Sequence, residues 1–231
     1  MQSDYEKFYS DYWKTLSENV SKKNHYGTLY DFCKDRLIPE KNMNVLDVGG
    51  GSGQFMRYLG IRKATILDIS DSGLDFAKSL GYSTLKGNLL LKFPVKDNKY
   101  DAAYLFEVLE HLNDPYKVLK EVNRILKKSG MLFIGQPNTP ADGKHHVVRI
   151  YLNELIKNLQ ESGFIIEWVE LIPAFNKISF SNYRMSKTFK EKMIFLIAYF
   201  LAFTPIRLRR WLAKKFPNRF ALMYVIKCRK K

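Results

Sequence analysis

One acid and a run of glycines form the part of this sequence whose residue types point most clearly to chemistry. Asp47 is closely followed by Gly49, Gly50, Gly51 and Gly53. Glycine lacks a Cβ, so it permits positive φ and lets a ligand come close to the backbone. Backbone N–H groups at the start of the helix predicted to follow would favour an anionic group, such as a carboxylate. The pattern predicts a ligand-binding loop, although a glycine cluster alone is also compatible with a plain turn.

The spacing of these glycines distinguishes two kinds of cofactor loop. The dinucleotide fingerprint G-x-G-x-x-G needs a third glycine at position 54 or 56, where Gln54 and Met56 stand. The pattern present is D-x-G-x-G-x-G, which resembles motif I of the class I S-adenosylmethionine-dependent methyltransferases. The resemblance implies S-adenosylmethionine as the cofactor, with its methionine end at this loop.

Two predicted strands would place a second acid beside the loop. Residues 45–48 read as a short buried strand and residues 64–69 as the next one. The second strand ends in Asp68 and Ile69, where a carboxylate can accept hydrogen bonds from both hydroxyls of a ribose. Dinucleotide-binding folds use the same geometry, so Asp68 alone does not distinguish the cofactors. Its carboxylate could instead cap the turn.

Further motifs arrive in the order expected of the resembled family. Asn88 and Leu89 follow a third strand, where the family usually has an acid that accepts from the adenine amino group. The amide oxygen of Asn88 can still accept, although an ordinary loop asparagine is an equally good interpretation. Phe106 ends a fourth strand, and EVLEHL at 107–112 resembles methyltransferases of quinone biosynthesis. The resemblance covers about residues 44–172 and implies that Asn88, Leu89 and Phe106 contact the cofactor.

The resemblance also implies the fold. We expect an α/β protein with a Rossmann-like, seven-stranded, mostly parallel sheet, an antiparallel last strand and helices on both faces. The length of 231 residues fits one such domain with additions. We expect an N-terminal helical cap over 1–40, the cofactor domain over 41–172 and 221–231, and a helical insertion over 173–220. Aromatic residues of a helix predicted over 4–20 could close over the cofactor.

Methyl transfer requires few protein groups, because the methyl of a sulfonium is already electrophilic. The protein has mainly to align the acceptor and exclude water, and a base is needed only where the acceptor loses a proton. The candidate bases are His111, just past the fourth strand, and His145, in a polar loop after the fifth. Glu107 and Asp142 are weaker candidates, and packing or solvation would also explain both histidines. We expect no metal centre, because the pair His145-His146 has no further ligands at suitable spacing.

The positive charge is concentrated in one part of the chain. The net charge is +15, and residues 184–231 carry 14 Lys and Arg against one acid, Glu191. An apolar run over 193–206 is too short to span a bilayer, which takes about 20 residues. A basic amphipathic helix with Trp211 on its apolar side follows, and such a helix fits an anionic membrane surface. We therefore expect membrane contact through 187–220, with a lid over the acceptor pocket or an RNA-binding surface as alternatives.

These features predict an S-adenosylmethionine-dependent methyltransferase, most naturally one that O-methylates a small-molecule, lipid-linked or glycan acceptor. Residues 106–109 lack the Asn/Asp/Ser-Pro-Pro-aromatic pattern typical of nucleic-acid amino methyltransferases. The alternatives are a membrane-associated binding protein without turnover, an RNA methyltransferase and a NAD-dependent reductase. Two cysteines and a polar, aromatic start predict a cytoplasmic protein, peripheral on the inner face of the membrane.

Overall fold

The computed structural model describes Asp11 and residues 30–141, 146–173 and 205–231. The helix predicted over 4–20, the candidate residues Asp142 and His145, and most of the apolar run over 193–206 lie outside these residues. Among the described residues, no helix combines the length and apolar character needed to cross a bilayer.

A seven-stranded sheet forms the centre of the structure, in the spatial order β3-β2-β1-β4-β5-β7-β6. Strands β1 to β5 pair in parallel, whereas β7 runs antiparallel to both of its neighbours, β5 and β6. The predicted topology is therefore confirmed. The strands are β1 (Val45–Val48), β2 (Ala64–Asp68), β3 (Ser83–Lys86), β4 (Tyr100–Phe106), β5 (Leu126–Pro137), β6 (Phe164–Pro173) and β7 (Ala221–Lys230).

Helices connect several of the strands, and α1 to α4 each bury apolar residues. Helix α3 buries Val118, Leu119, Val122 and Ile125, the spacing of one helical face. The helices are α1 (Gln54–Leu59), α2 (Asp71–Ser79), α3 (Lys117–Ile125), α4 (Leu152–Glu161), α5 (Ile206–Lys215) and α6 (Pro217–Phe220). Two 3-10 helices cover Asp31–Leu37 and Leu109–His111. The last two α-helices lie between β6 and β7, within the predicted insertion.

One helix ends earlier than its sequence predicts. Charged residues Lys127 and Lys128 before Gly130 predict a helix that runs to position 128, but α3 ends at Ile125. The next residue, Leu126, is fully buried and pairs with Tyr100 of β4. Burial of Leu126 in the sheet outweighs the local helix signal, so the prediction was wrong over these residues.

Two hydrophobic cores lie on the two faces of the sheet, because successive side chains of a strand point to opposite faces. One core holds Leu46 and Val48 of β1, and the other holds Val45. The second core contains a cluster of aromatic rings at Tyr30, Phe55, Tyr104, Phe106 and Phe133. Both cores support the carboxyl edge of the parallel strands, where ligands bind in open α/β sheets.

Candidate functional site

The glycine loop after β1 has a backbone shape that favours glycine. Gly49, Gly51 and Gly53 have φ values of +73°, +50° and +71°, a region that other residues rarely adopt. The N–H groups of Gly49 and Gly50 both donate to the carbonyl of Leu67 in β2, at 2.7 and 3.3 Å. The loop is thereby held against the end of the neighbouring strand.

The loop also lies against side chains that leave no room for a Cβ. A Cβ on Gly49 would lie 2.7 Å from Cγ2 of Val108 and 3.3 Å from Cδ1 of Leu89. A Cβ on Gly53 would lie 3.0 Å from the ring of Tyr82. The glycines are therefore required for packing as well as for backbone conformation.

Asp47 lies directly beneath Gly50. A Cβ on Gly50 would come within 2.3 Å of Oδ2 of Asp47. This oxygen is buried and has no hydrogen-bond partner among the described residues, and neither has Oγ of Ser52. Burial, together with the nearby charge of Asp68, raises the pKa of Asp47 to about 8. A positively charged ligand group beside Asp47 would lower that pKa and pair with the carboxylate.

Asp68 connects the end of β2 to the glycine loop. Its Oδ2 accepts from the N–H of Gly51 and its Oδ1 from the N–H of Ser70, both at 2.8 Å. Burial raises the pKa of this carboxyl group, while backbone hydrogen bonds from Ser70, Gly51 and Ile69 oppose the rise. A carboxylate has about four lone-pair sites, so Asp68 caps the turn and keeps acceptor capacity for hydroxyl groups. The half-buried Ile69 follows directly.

Asn88 and Leu89, the residues predicted for the adenine side, lie in the turn after β3. Asn88 makes a local hydrogen bond there that the sequence did not indicate. Oδ1 of Asn88 accepts from the N–H of Leu90 at 2.9 Å and closes the turn after β3. Leu89 is buried against the glycine loop. A contact between Asn88 and an adenine amino group stays a prediction, for which the second lone pair of Oδ1 remains.

Phe106 is buried in the aromatic cluster at the end of β4. Its ring centroid lies 4.1 Å from that of Phe55 and 5.3 Å from that of Tyr30. A Cβ on Gly135 of β5 would lie 2.3 Å from the Phe106 ring. Phe106 supports the site from below, and its contact with a cofactor stays a prediction.

The next residue, Glu107, has a strained backbone at the same edge. Its φ is +55°, which is uncommon for a residue other than glycine. Its N–H donates to the carbonyl of Gly135 at 2.8 Å, and the hydroxyl of Tyr30 donates to its Oε1 at 3.0 Å. Strain of this kind concentrates at functional sites, so Glu107 is a stronger candidate for a functional role than the sequence alone indicated.

Three titratable side chains converge just beyond Glu107. His111, one of the two predicted bases, has its Nε2 3.7 Å from Oε1 of Glu110. Its ring centroid lies 5.2 Å from that of His146. One ligating atom from each of Glu110, His111 and His146 lies within 4.8 Å of the others. We call these residues the Glu110–His111–His146 cluster.

Glu110 is the member that sequence analysis missed. It is 1 % exposed, and its Oε2 accepts from Nε2 of Gln136 at 3.2 Å. Burial, reinforced by the charge of Glu107, raises the pKa of Glu110 to about 8. The available signal was its place in EVLEHL, a motif of which only Glu107 and His111 had been considered as candidate bases. The cluster combines one carboxyl group with two imidazoles, which are side-chain types used in general acid–base catalysis.

Comparisons with known proteins agree with this geometry. A family model described as a methyltransferase domain matches residues 46–134, from β1 to β5. The uncharacterized protein MJ0638 of Methanocaldococcus jannaschii is 33 % identical over 68 % of this chain and 78 % of its own length. A ubiquinone biosynthesis O-methyltransferase of Pelagibacter ubique is 31 % identical, over 43 % of this chain and 44 % of that protein.

A solved structure shows the same fold. It is a methyltransferase of Thermotoga maritima described as S-adenosylmethionine-dependent, with a TM-score of 0.58 and 19 % sequence identity. The similarity covers 95 % of this chain and all of that one.

Gly50→Ala tests the contact between the loop and Asp47. The new Cβ would displace the Asp47 carboxyl group, and overpacking of this kind costs about 1–3 kcal/mol. We expect affinity for S-adenosylhomocysteine, measured by calorimetry, to fall roughly 10- to 100-fold. The control is Gly60→Ala, which has a φ of +76° but nothing within 4 Å of its Cβ. Equal affinities for the two folded variants would contradict the prediction.

Asp47→Asn tests the buried acid through the pH dependence of stability. Because the folded-state pKa of Asp47 lies above its value of 3.8 when unperturbed, its contribution is full below that value and is lost as pH rises to about 8. The parent should therefore lose more unfolding free energy than Asp47→Asn between about pH 5 and pH 8. At about 1.4 kcal/mol per pKa unit, the difference should be on the order of a few kcal/mol, measured by urea denaturation without ligand.

The control for this measurement is Asp75→Asn, which removes an exposed carboxylate on α2. It should show the same loss of stability with pH as the parent. If the unfolding free energies of the parent and of Asp47→Asn changed in parallel with pH, the prediction that Asp47 is a buried acid with a raised pKa would be contradicted.

Proposed function

Since the chain belongs to the class I S-adenosylmethionine-dependent methyltransferases, we propose that it methylates an oxygen of a small hydroxylated acceptor. When bound, S-adenosylmethionine supplies a methyl group carried on a positively charged sulfur. The observation that carries the finer proposal is the Glu110–His111–His146 cluster, which brings two imidazoles and a carboxyl group together after the end of β4. O-methylation requires the acceptor hydroxyl to lose a proton.

The residues of the loop fit this cofactor. Buried Oδ2 of Asp47 and Oγ of Ser52 have no partner among the described residues, and a buried polar atom is normally paired. The ammonium group of the methionine end would satisfy Asp47. Asp68 would accept from the ribose hydroxyls, and Leu89 would pack against the adenine end.

The position of the cluster supports its role on the acceptor side. Val108, two residues before Glu110, is the side chain that a Cβ on Gly49 would meet. His111 ends the short 3-10 helix that follows β4, which places it at the carboxyl edge of the sheet, where the loop after β1 also lies. We propose that His111 takes the proton of the acceptor hydroxyl, with Glu110 and His146 fixing its orientation. The relative named as an O-methyltransferase supports the choice of oxygen.

Turnover in the presence of acceptor extracts tests this function. We expect S-adenosylhomocysteine to form with extracts of hydroxylated small molecules or lipids, and His111→Gln to lower kcat about 100-fold or more. Binding of S-adenosylhomocysteine should stay within about twofold of the parent, because His111 lies outside the loop. The control is Asn158→Ala, which changes a side chain on α4 that bonds only within its own helix.

Three outcomes would contradict the proposal. Tight binding without turnover would make the protein a binding module, and preference for NAD would make it a reductase. Methylated RNA as the product would replace the small-molecule acceptor.

We also propose that α5 contacts an anionic membrane surface. Leu208, Trp211 and Phe216 are 42 %, 52 % and 44 % exposed, whereas Ala213 on the opposite side is buried. Exposed Arg207 and Arg210 lie on the same helix. Aromatic and aliphatic side chains that face outward among cations fit the boundary between lipid headgroups and acyl chains. A lid over the acceptor pocket would instead turn these apolar groups inward.

Cosedimentation with vesicles tests this contact. We expect binding to vesicles that contain phosphatidylglycerol, weak binding to pure phosphatidylcholine, and release by salt. Each basic residue near an anionic surface contributes about 1 kcal/mol, so the double change Arg207→Gln, Arg210→Gln should weaken binding roughly tenfold or more. Trp211→Ala should also weaken it, whereas Ile165→Ala, an exposed apolar residue on β6, should not. Unchanged vesicle binding in these variants, or binding only to RNA, would contradict the proposal.

A further inference from the structure

The Glu110–His111–His146 cluster has the composition of a metal centre as well as that of a base. It combines one carboxylate and two imidazoles, and its three ligating atoms lie within 4.8 Å of one another. Three protein ligands of this kind leave coordination positions open, as in catalytic zinc sites with two histidines and one glutamate. The same ligand types also bind other first-row divalent ions.

A second observation indicates that a ligand belongs there. Oε1 of Glu110 is buried and has no hydrogen-bond partner among the described residues, and Nε2 of His111 lies 3.7 Å away from it. A buried carboxylate is ordinarily paired, hydrogen-bonded or bound to a metal. Nearby Oε1 of Gln136 is also buried without a partner in the described part of the chain. Oε1 of Glu110 and Oε1 of Gln136 are thus two neighbouring acceptors that have no hydrogen-bond donor among the described residues.

The cluster is held in position by its surroundings, as metal ligands generally are. Oγ1 of Thr139 lies 2.6 Å from Nδ1 of His146, and a partner on one ring nitrogen orients a histidine to ligate through the other. Nε2 of Gln136 donates to Oε2 of Glu110. The N–H groups of Val147 and Val148 donate to the backbone carbonyl of Glu110 at 2.8 and 3.2 Å. These two bonds join segments that are far apart in sequence.

We propose that Glu110, His111 and His146 bind one divalent transition-metal ion, which orients the acceptor hydroxyl in the active site. The role of the ion in the reaction rests on the proposed function, whereas the binding of the ion rests on the cluster alone. The carboxylate of Glu107 adds negative charge near Glu110 and favours a cation. A hydroxyl oxygen that joins the open positions becomes more acidic, as metal-bound water does. In this arrangement His111 is a metal ligand, which replaces the role of base proposed for it above; the ion makes the hydroxyl acidic, and its proton leaves to solvent.

The arrangement revises the expectation of no metal centre, which considered only spacing along the chain. His145 and His146 lack further ligands nearby in sequence, but the fold brings His111 and Glu110 to His146 from 35 and 36 residues away.

Metal binding to the full chain, without cofactor or acceptor, tests the site separately from the reaction. The protein is purified with a chelator, freed of it, and titrated with Zn²⁺ by calorimetry and with Co²⁺ by visible absorption. We expect one ion per chain and a cobalt spectrum that Zn²⁺ abolishes. Glu110→Gln and His146→Gln should each weaken binding about tenfold or more, and Thr139→Val should weaken it roughly tenfold through His146.

Glu110→Gln keeps the shape of the side chain and removes a buried acid, so we expect it to remain folded, which thermal unfolding will check. The control is Glu161→Gln, an exposed residue of α4, which should bind the ion as the parent does. Equal binding by the parent and by both cluster variants would overturn the site. If the parent binds the ion but a chelator leaves kcat unchanged, the proposed role of the ion in methyl transfer is overturned and His111 remains the base.

Discussion

The buried carboxylate of Asp68 is the interaction on which the cofactor side of the structure depends. Both of its oxygens accept backbone N–H groups, one from the glycine loop and one from the turn before α2. A carboxylate removed from water is costly unless it is hydrogen-bonded, so this requirement fixes two turns at once. An asparagine could not replace Asp68, because its side-chain NH2 group would face one of the two backbone N–H groups that now donate to the carboxylate. The shape of the loop after β1 is therefore determined largely by the end of β2.

Two buried acids, Asp47 and Glu110, impose a second constraint at the carboxyl edge of the sheet, because each has a carboxylate oxygen without a hydrogen-bond partner among the described residues. Asp47 shares the face of β1 that carries Val45, whereas Gln136, the partner of Glu110, shares the face of β5 that carries Leu132 and Ile134. Both Asp47 and Glu110 have a pKa near 8 because they are buried. Such groups lower the stability of the ligand-free protein, and a ligand that binds the folded state recovers it by mass action.

The sequence predicted those features that arise from local patterns. The glycine motif and the acid at the end of β2 follow from residue types at fixed spacing, and the structure places Asp47, the glycines and Asp68 together. The sheet topology was predicted from the resemblance to the family. The convergence of Glu110 and His146 could not be predicted, since it depends on backbone bonds from Val147 and Val148 to Glu110 that join distant segments. The packing of Phe106 against Phe55 and Tyr30 could not be predicted from the sequence, because it depends on tertiary contacts, and its contact with a cofactor stays a prediction. The end of α3 was misplaced because burial of Leu126 is a tertiary effect.

The position of β7 between β5 and β6 has a consequence for biosynthesis. Strand β6 reaches the sheet only through β7, and the last residue of β7, Lys230, follows the end of β6 at Pro173 by 57 positions. At a translation rate of about 5–20 residues per second, β6 waits roughly 3–12 s before its neighbour has been made. During that interval the nascent chain exposes the unpaired edges of β5 and β6 to chaperones and to other chains. The sheet can therefore close only late in synthesis, after the cofactor loop and its supporting strands have already left the ribosome.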